Sequence, residues 1–165
     1  MKQLTTLGYV IAADILSLFI ALTLAGSQSP VIRVISAVCT TGILCVMLIS
    51  HAAKTAKNDL KAERQTGSRL SLTEPLTMAA TASLPAVLSF LALVLTRRSG
   101  ANLYPLHKLI NGYFLQIFNL IQPDSRAEVL TQGDLVIMGL LTLVPAAVFI
   151  TAYLLTRSGV IFPED

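Results

Sequence analysis

The stretch that decides the fold is Leu76–Thr96, LTMAATASLPAVLSFLALVLT, which runs for 21 residues without a charged side chain. About 20 apolar residues in an α-helix are enough to cross the roughly 30 Å hydrocarbon core of a bilayer. Three further stretches of 17 to 22 residues are similarly apolar: Leu7–Leu24, Val34–Ser50 and Leu135–Thr156. The sequence therefore predicts an all-α, multi-pass membrane protein built as a bundle of four transmembrane helices.

The composition agrees with a membrane protein. Hydrophobic residues make up 54% of the 165 residues and charged residues 13%, whereas a soluble domain carries about a quarter charged residues. The longest segment between predicted spans, residues 97–134, is too short to hold a soluble domain, so residues 1–165 are predicted to form a single transmembrane domain. A net charge of +3 is too small to indicate binding to nucleic acid.

The segment between the second and third spans, residues 51–74, carries its cations on one helical face. They stand at positions i, i+3, i+7 and i+10 and are Lys54, Lys57, Lys61 and Arg64. Such a face can bind anionic lipid headgroups, at about 1 kcal/mol for each cation near the surface; a solvated helix face is the alternative. Good helix formers continue to Gly67, so the second helix is expected to run on to that residue.

The basic segment also sets the predicted orientation. Short cytoplasmic loops of membrane proteins carry an excess of Lys and Arg. Residues 51–74 hold the densest group of these residues in the chain. We therefore expect a protein of the cell membrane with its N-terminus and this segment in the cytoplasm.

Residues 105–122, between the third and fourth spans, have the pattern of an amphipathic helix. Apolar side chains share one broad face, and His107, Lys108 and Asn111 lie on the opposite face. A helix with two such faces usually lies in the plane of the membrane interface, which is the position that we predict. A re-entrant segment and a fifth span with its polar face against protein are the alternatives.

Asp14 is the only acidic residue well inside a predicted span. An ionised carboxylate there costs about 2.5 to 3.5 kcal/mol on insertion scales, so it should face protein or water. Small residues on the same side of the helix direct it into the bundle, and they are Ala13, Ser17, Ala21 and Ala25. Matching depths along antiparallel spans predicts a polar layer around Asp14, formed by Thr41, Cys45, Ser83 and Thr151.

Two chemical roles are open for this layer. In the first, Asp14 is a proton or cation site. In the second, Asp14 is a hydrogen-bonded or neutral acid that fixes the register of the helices. No Lys or Arg lies at the same depth in the predicted spans, and the second role is favoured.

Pro85 and Pro145 lie near the middle of the third and fourth spans, where each removes a backbone hydrogen bond and is expected to kink its helix. Such breaks serve packing in many membrane helices and gating in some transporters. The two prolines match in a weak repeat that aligns residues 70–97 with residues 130–157 without gaps. With four spans the two copies run in opposite directions.

The sequence contains no catalytic or cofactor motif. Cys39 and Cys45 are six residues apart on one predicted helix and cannot bridge each other. His51 and His107 lack the spacing of a metal site. No cofactor and no metal are expected.

The sequence therefore favours a non-enzymatic structural or accessory subunit of a membrane complex. Its expected partners are membrane lipids and either a second copy of the chain or another membrane protein. One alternative is a small transporter or channel component in which Asp14 responds to protons or cations. Another is an intramembrane, lipid-directed enzyme.

Overall fold

The structure, a computed structural model, describes residues 2–24, 29–68 and 70–161, and only the backbone of Arg98. All regular secondary structure in these residues is helical. Four helical segments are long and apolar enough to cross a membrane, and they are Lys2–Leu24, Pro30–Thr66, Thr73–Thr96 and Gln132–Arg157. The predicted all-α fold with four helices of membrane-spanning length is confirmed.

Seven α-helices make up these segments and the connection between the third and the fourth. In chain order they are α1 (Lys2–Leu24), α2 (Pro30–Thr66), α3 (Thr73–Thr96), α4 (Tyr104–Ile110), α5 (Leu115–Ile121), α6 (Gln132–Leu141) and α7 (Val144–Arg157). Single 3₁₀ turns lie at Arg97–Ser99, Gly112–Phe114 and Ala127–Val129.

Helix α1 runs antiparallel to α2. The Thr6 hydroxyl lies 3.0 Å from Nε2 of His51, and the Ser17 hydroxyl donates to the carbonyl of Thr40 at 3.1 Å. The numbers of the two residues in each pair have the same sum, as expected for two helices paired in one fixed register. The hydrogen bonds between these helices therefore set the depth of every α1 side chain relative to α2.

The small-residue face of α1 packs into the bundle, as the sequence predicts. Its buried small residues are Ala13, Ser17 and Ala21. Small side chains let two helices approach closely, which explains how Ser17 reaches the backbone of α2. Ala25 lies outside the described residues.

Helix α2 extends well beyond its apolar part. It ends at Thr66, and Gly67 follows with a φ of +68°, a left-handed conformation that glycine adopts without steric cost. The predicted end at Gly67 is confirmed, so residues 51–66 are helix rather than loop. The four cations of the basic face, Lys54, Lys57, Lys61 and Arg64, are all exposed.

One end of the bundle, which we call the ion-pair end, ties four helices together around Asp59. This carboxylate is 5% exposed. Lys2 Nζ of α1 lies 3.4 Å from Asp59 Oδ1 and 2.7 Å from Glu74 Oε2 of α3, and the Tyr153 hydroxyl of α7 donates to Asp59 Oδ2 at 2.9 Å. These partners offset the cost of burying the charge.

The opposite end, which we call the hairpin end, holds the connections at residues 97–103 and 122–131. The two copies of the weak repeat run in opposite directions between these ends. Arg97 follows α3 and donates to the carbonyl of Leu130 at the hairpin end. Arg157 closes α7 and pairs with Glu63 at the ion-pair end. This is the arrangement that four spans predict for residues 70–97 and 130–157.

Pro145 interrupts the fourth span, whereas Pro85 does not interrupt the third. Helix α3 is continuous through Pro85, but α6 and α7 are separated by two residues and Pro145 lies in the first turn of α7. The Ala146 N–H donates to the Ser83 hydroxyl of α3 at 3.0 Å. A side chain of a neighbouring helix thus supplies the acceptor that the broken helix lacks. The helix is thus interrupted just before Pro145, whereas at Pro85 it continues.

Replacing Ser83 by alanine is expected to destabilise the bundle. The Ala146 N–H loses its acceptor, and an unsatisfied buried donor costs about 1 to 3 kcal/mol. The measurement is the thermal unfolding midpoint in mild detergent, which we expect to fall. Ser50→Ala, at an exposed position, should leave the midpoint unchanged. Equal midpoints for Ser83→Ala and the wild type would contradict this role of Ser83.

Candidate functional site

The connection between the third and fourth spans folds into a helical hairpin, formed by α4, the turn at residues 111–114 and α5. The Tyr104 hydroxyl donates to the carbonyl of Gln122 at 3.2 Å, and Lys108 Nζ donates to Asn119 Oδ1 at 2.9 Å. These bonds hold the two arms side by side. The chain therefore enters and leaves the hairpin at the same end of the bundle.

The single amphipathic helix predicted over residues 105–122 is corrected to two short helices. Asn111 has φ −122° and ψ 47°, outside the helical region, and a 3₁₀ turn follows it. Asparagine and glycine are weak helix formers, and the Asn-Gly pair is a common turn signal. Asn111-Gly112 is that signal, and it stands in the middle of an otherwise helical pattern.

The hairpin also turns its polar face in the direction opposite to that of an interfacial helix. Its buried polar residues are His107, Lys108 and Asn111. On the helical projection of residues 105–122, Leu106 and Leu109 belong to the broad apolar face. In the structure they are 47% and 54% exposed. The polar groups find hydrogen-bond partners inside the bundle, so the leucines are left on the outside.

The tip of the hairpin reaches the middle of the long helices. The Gly112 N–H donates to Asp14 Oδ1 at 2.5 Å, and the Thr41 hydroxyl donates to the carbonyl of Tyr113 at 3.2 Å. Asp14 is the 13th of the 23 residues of α1, and Thr41 is central in the apolar stretch 34–50. Two side chains at mid-length thus bind two neighbouring backbone groups of the tip.

Gly112 is packed so closely against α1 that it has no room for a side chain. A Cβ atom on this residue would lie 2.4 Å from Cγ of Leu18 and 3.0 Å from Asp14 Oδ1. Contacts under 3.0 Å essentially never occur for real Cβ atoms. The contact between the tip and α1 is therefore a close backbone approach that glycine permits.

A buried polar cluster fixes the hairpin to α3. Nδ1 of His107, which is 1% exposed, lies 2.9 Å from the Ser89 hydroxyl. Asn111 Nδ2 donates to the same hydroxyl at 3.0 Å and to the His107 carbonyl at 2.8 Å. The Tyr113 hydroxyl donates to Asn111 Oδ1 at 3.1 Å. These residues connect the turn, α4 and α3 in one network.

The pairing of Ser89 with His107 resembles the first part of a nucleophilic site, but its hydrogen bonds give it a packing role. The Ser89 hydroxyl also lies 3.0 Å from the carbonyl of Ala86, which can accept its proton. His107 Nε2 is buried without a hydrogen-bond partner in the described part of the chain, and the ring of Phe118 lies 5.1 Å from the imidazole. The ring nitrogen that a substrate would need to reach is therefore buried in the bundle.

The polar layer predicted around Asp14 forms only in part. Asp14 and Thr41 are brought together through the hairpin tip. Ser83 instead binds the break in the fourth span, Cys45 is half-buried, and Thr151 is exposed. Of the four residues predicted to surround Asp14, the described hydrogen bonds connect only Thr41 to it, through the hairpin tip.

Thr151 lines an apolar groove between α2 and α7, together with Ile49, Val148 and Leu155. Several cavities have polar walls, and two of them lie between helices at opposite ends of the bundle. The cavity at the ion-pair end, about 190 Å³, is bounded by Lys2, His51, Lys54 and Asn58 among others. The cavity at the hairpin end, about 270 Å³, is bounded by residues of α1, α2 and α5.

Comparisons with protein-family models, with curated proteins and with solved structures found no match to this chain. Among the described residues, no group of three His, Cys, Asp or Glu side chains is placed to hold a metal ion. The proposed function therefore rests on the geometry of the site.

Substituting Gly112 by alanine is expected to displace the hairpin tip from α1. Overpacking of a closely packed site costs about 1 to 3 kcal/mol, so the thermal midpoint in detergent should fall. Gly42→Ala is the matched control, since no atom lies within 4 Å of its added Cβ. That control should be neutral or stabilising, as alanine is the better helix former. A Gly112→Ala protein as stable as Gly42→Ala would contradict the close approach.

Proposed function

We propose that this chain is a non-enzymatic structural or accessory subunit of the cell membrane, with its N-terminus and residues 51–74 in the cytoplasm. One observation carries the proposal: the carboxylate of Asp14 is engaged by the backbone of the hairpin tip. The acid at mid-length of the bundle thus acts in assembly of the fold, the second of the two roles open to it from the sequence.

The membrane explains why an acid is needed there. Inside hydrocarbon, non-helical backbone is tolerated only where protein or enclosed water satisfies its polar groups. At the hairpin tip, Asp14 accepts from one backbone N–H and Thr41 donates to one backbone carbonyl. We infer a re-entrant hairpin that is held in place by two spanning helices.

The outer surface of the bundle supports the proposed assembly with other membrane components. One face of α1 is apolar and exposed over its whole length, and its large residues are Ile11, Ile15, Phe19 and Leu22. The apolar windows of the four long segments are only 22% to 39% buried within the chain. Lipid covers part of this surface, and a second copy or another membrane protein covers the remainder.

A small transporter or channel component is the second candidate, and a different observation favours it. Helices interrupted near the midplane form the substrate sites of many transporters. This bundle has two such interruptions, at Asn111-Gly112 and before Pro145, and polar cavities at both ends. In this candidate function, Asp14 is the group that binds the proton or cation between the two cavities.

The assembly proposal predicts a particle larger than one chain. The protein purified in mild detergent is expected to show a protein mass above 17.7 kDa, as a multiple of that mass or as a complex with a co-purified membrane protein. Size-exclusion chromatography with light scattering gives the protein mass after subtraction of detergent. A strictly monomeric protein without a partner would count against the proposal.

Two substitutions of Asp14 separate the structural role from transport. Asp14→Asn keeps an oxygen that can accept from the Gly112 N–H, whereas Asp14→Ala removes it. We expect Asp14→Asn to retain most of the stability and Asp14→Ala to lose about 1 to 3 kcal/mol, the cost of an unsatisfied donor. Thermal midpoints in detergent measure both.

Flux into liposomes completes this comparison. Background-level flux with both the wild type and Asp14→Asn would remove the transport candidate and leave the subunit proposal. Flux by the wild type that Asp14→Asn abolishes, while the thermal midpoint is retained, would instead establish transport. Equal loss of stability in Asp14→Asn and Asp14→Ala would contradict the acceptor role of the side-chain oxygen.

A further inference from the structure

The cavity between α1, α2 and α5 at the hairpin end is lined by polar side chains that have no role in the proposed subunit function. It lies where the end of α1, the start of α2 and helix α5 meet, and its volume is about 270 Å³. Its polar lining residues are Arg33, Ser36, Gln116 and Asn119. Leucines of α1 and α5, Leu24 and Leu120, supply an apolar wall.

Ser36 is the first indication that this cavity takes a ligand. Its side chain is 1% exposed, and its hydroxyl has no hydrogen-bond partner among the described residues. A serine inside a helix usually satisfies its hydroxyl with a carbonyl of the preceding turn. Buried hydroxyls without a partner are uncommon in proteins. Ser36 is one of the residues that line the cavity, and a bound group would give its hydroxyl the partner that the described residues do not supply.

Arg33 is the second indication, because it brings a positive charge that the described chain does not neutralise. Among the described residues no carboxylate pairs with its guanidinium. Arg126, also at the hairpin end, differs: it lies 2.6 Å from Asp124, and their hydrogen bond lowers the pKa of that carboxyl. Arg33 also stands in the second turn of α2, close to the positive end of the helix dipole.

Asn119 completes the set of hydrogen-bond donors. Its Oδ1 accepts from Lys108 Nζ at 2.9 Å, so its amide NH₂ is the group left to face the cavity. Lys108 is itself buried, with its ammonium also bound to the carbonyl of Gln122 at 3.1 Å. The Lys108 side chain thus holds the oxygen of the Asn119 amide.

We propose that this cavity binds a phosphate group. Arg33 supplies the charge and the planar donors that suit phosphate oxygens, while Ser36 and Asn119 donate from α2 and α5. The apolar wall of Leu24 and Leu120 contacts the carbon chain that the phosphate esterifies. The group belongs to a phospholipid headgroup or to a soluble phosphate ester. The inference stands independently of the proposed function.

The experiment measures binding of two probes to the purified chain in detergent. The lipid probe is phosphatidylglycerol, with diacylglycerol of the same acyl chains as the neutral control, and native mass spectrometry counts the bound molecules. The soluble probe is glycerol 3-phosphate, measured by isothermal titration calorimetry. The variants are Arg33→Gln and Ser36→Ala, and Arg126→Gln is the matched control outside the cavity.

We expect Arg33→Gln and Ser36→Ala each to weaken binding of the phosphate probe about tenfold, the usual effect of losing a hydrogen bond to a charged group. Arg126→Gln should bind as the wild type does. Ser36→Ala removes a hydroxyl that bonds to nothing in the described chain, so its thermal midpoint without ligand should equal that of the wild type. That variant therefore keeps the test independent of folding.

Each outcome either overturns the proposal or supports it and identifies the molecule that carries the phosphate group. Binding of glycerol 3-phosphate that depends on Arg33 and Ser36 assigns a soluble ester. Binding of phosphatidylglycerol alone, with the same dependence, assigns a lipid headgroup. The proposal is overturned if neither probe binds the wild type, if diacylglycerol binds as well as phosphatidylglycerol, or if Arg126→Gln weakens binding as much as Arg33→Gln does.

Discussion

The hydrogen bond between the Gly112 N–H and Asp14 is the interaction on which the hairpin depends. In the membrane position that we propose for the bundle, no water would be present to satisfy a backbone group that leaves helical geometry. The chain leaves that geometry at Asn111, next to the middle of α1. The turn therefore requires both Asp14, a carboxylate in an otherwise apolar helix, and Gly112, a glycine in an otherwise amphipathic segment. The first supplies the acceptor, and the second permits the close approach.

The break in the fourth span is stabilised on the same principle. Pro145 prevents a continuous helix, and the Ser83 hydroxyl accepts from the Ala146 N–H. In both places a polar side chain of one long helix completes the backbone of another segment. Asp14, Thr41 and Ser83 thus serve the connections between segments. Other hydroxyls, such as those of Thr81 and Thr156, bond to a carbonyl of their own helix. The bonds between segments fix the relative depth of α1, α3, α7 and the hairpin.

The two ends of the bundle differ in whether their charged side chains are paired within the fold. At the ion-pair end, buried Asp59 is surrounded by Lys2 and Tyr153, so its charge is matched within the fold. At the hairpin end, Arg33 lines a cavity together with the uncharged polar residues Ser36, Gln116 and Asn119, and no carboxylate is among its described lining residues. A structural network is expected to pair its charges, whereas a ligand site leaves them for the ligand. This contrast separates the part of the chain that holds the helices together from the part that we infer binds an anion.

The sequence by itself determined the all-α class, the four long apolar helices and the end of α2 at Gly67, because length, hydropathy and backbone chemistry are local properties. Its one clear local signal for the hairpin, Asn111-Gly112, was outweighed by the helical pattern around it. Only the tertiary structure decided that His107 and Asn111 face inward, that Asp14 binds the hairpin tip and that Thr151 faces outward. The direction of a polar face depends on which surface offers it hydrogen bonds. That surface is built by residues far away in the chain, such as Ser89 of α3, and it exists only once the helices have packed.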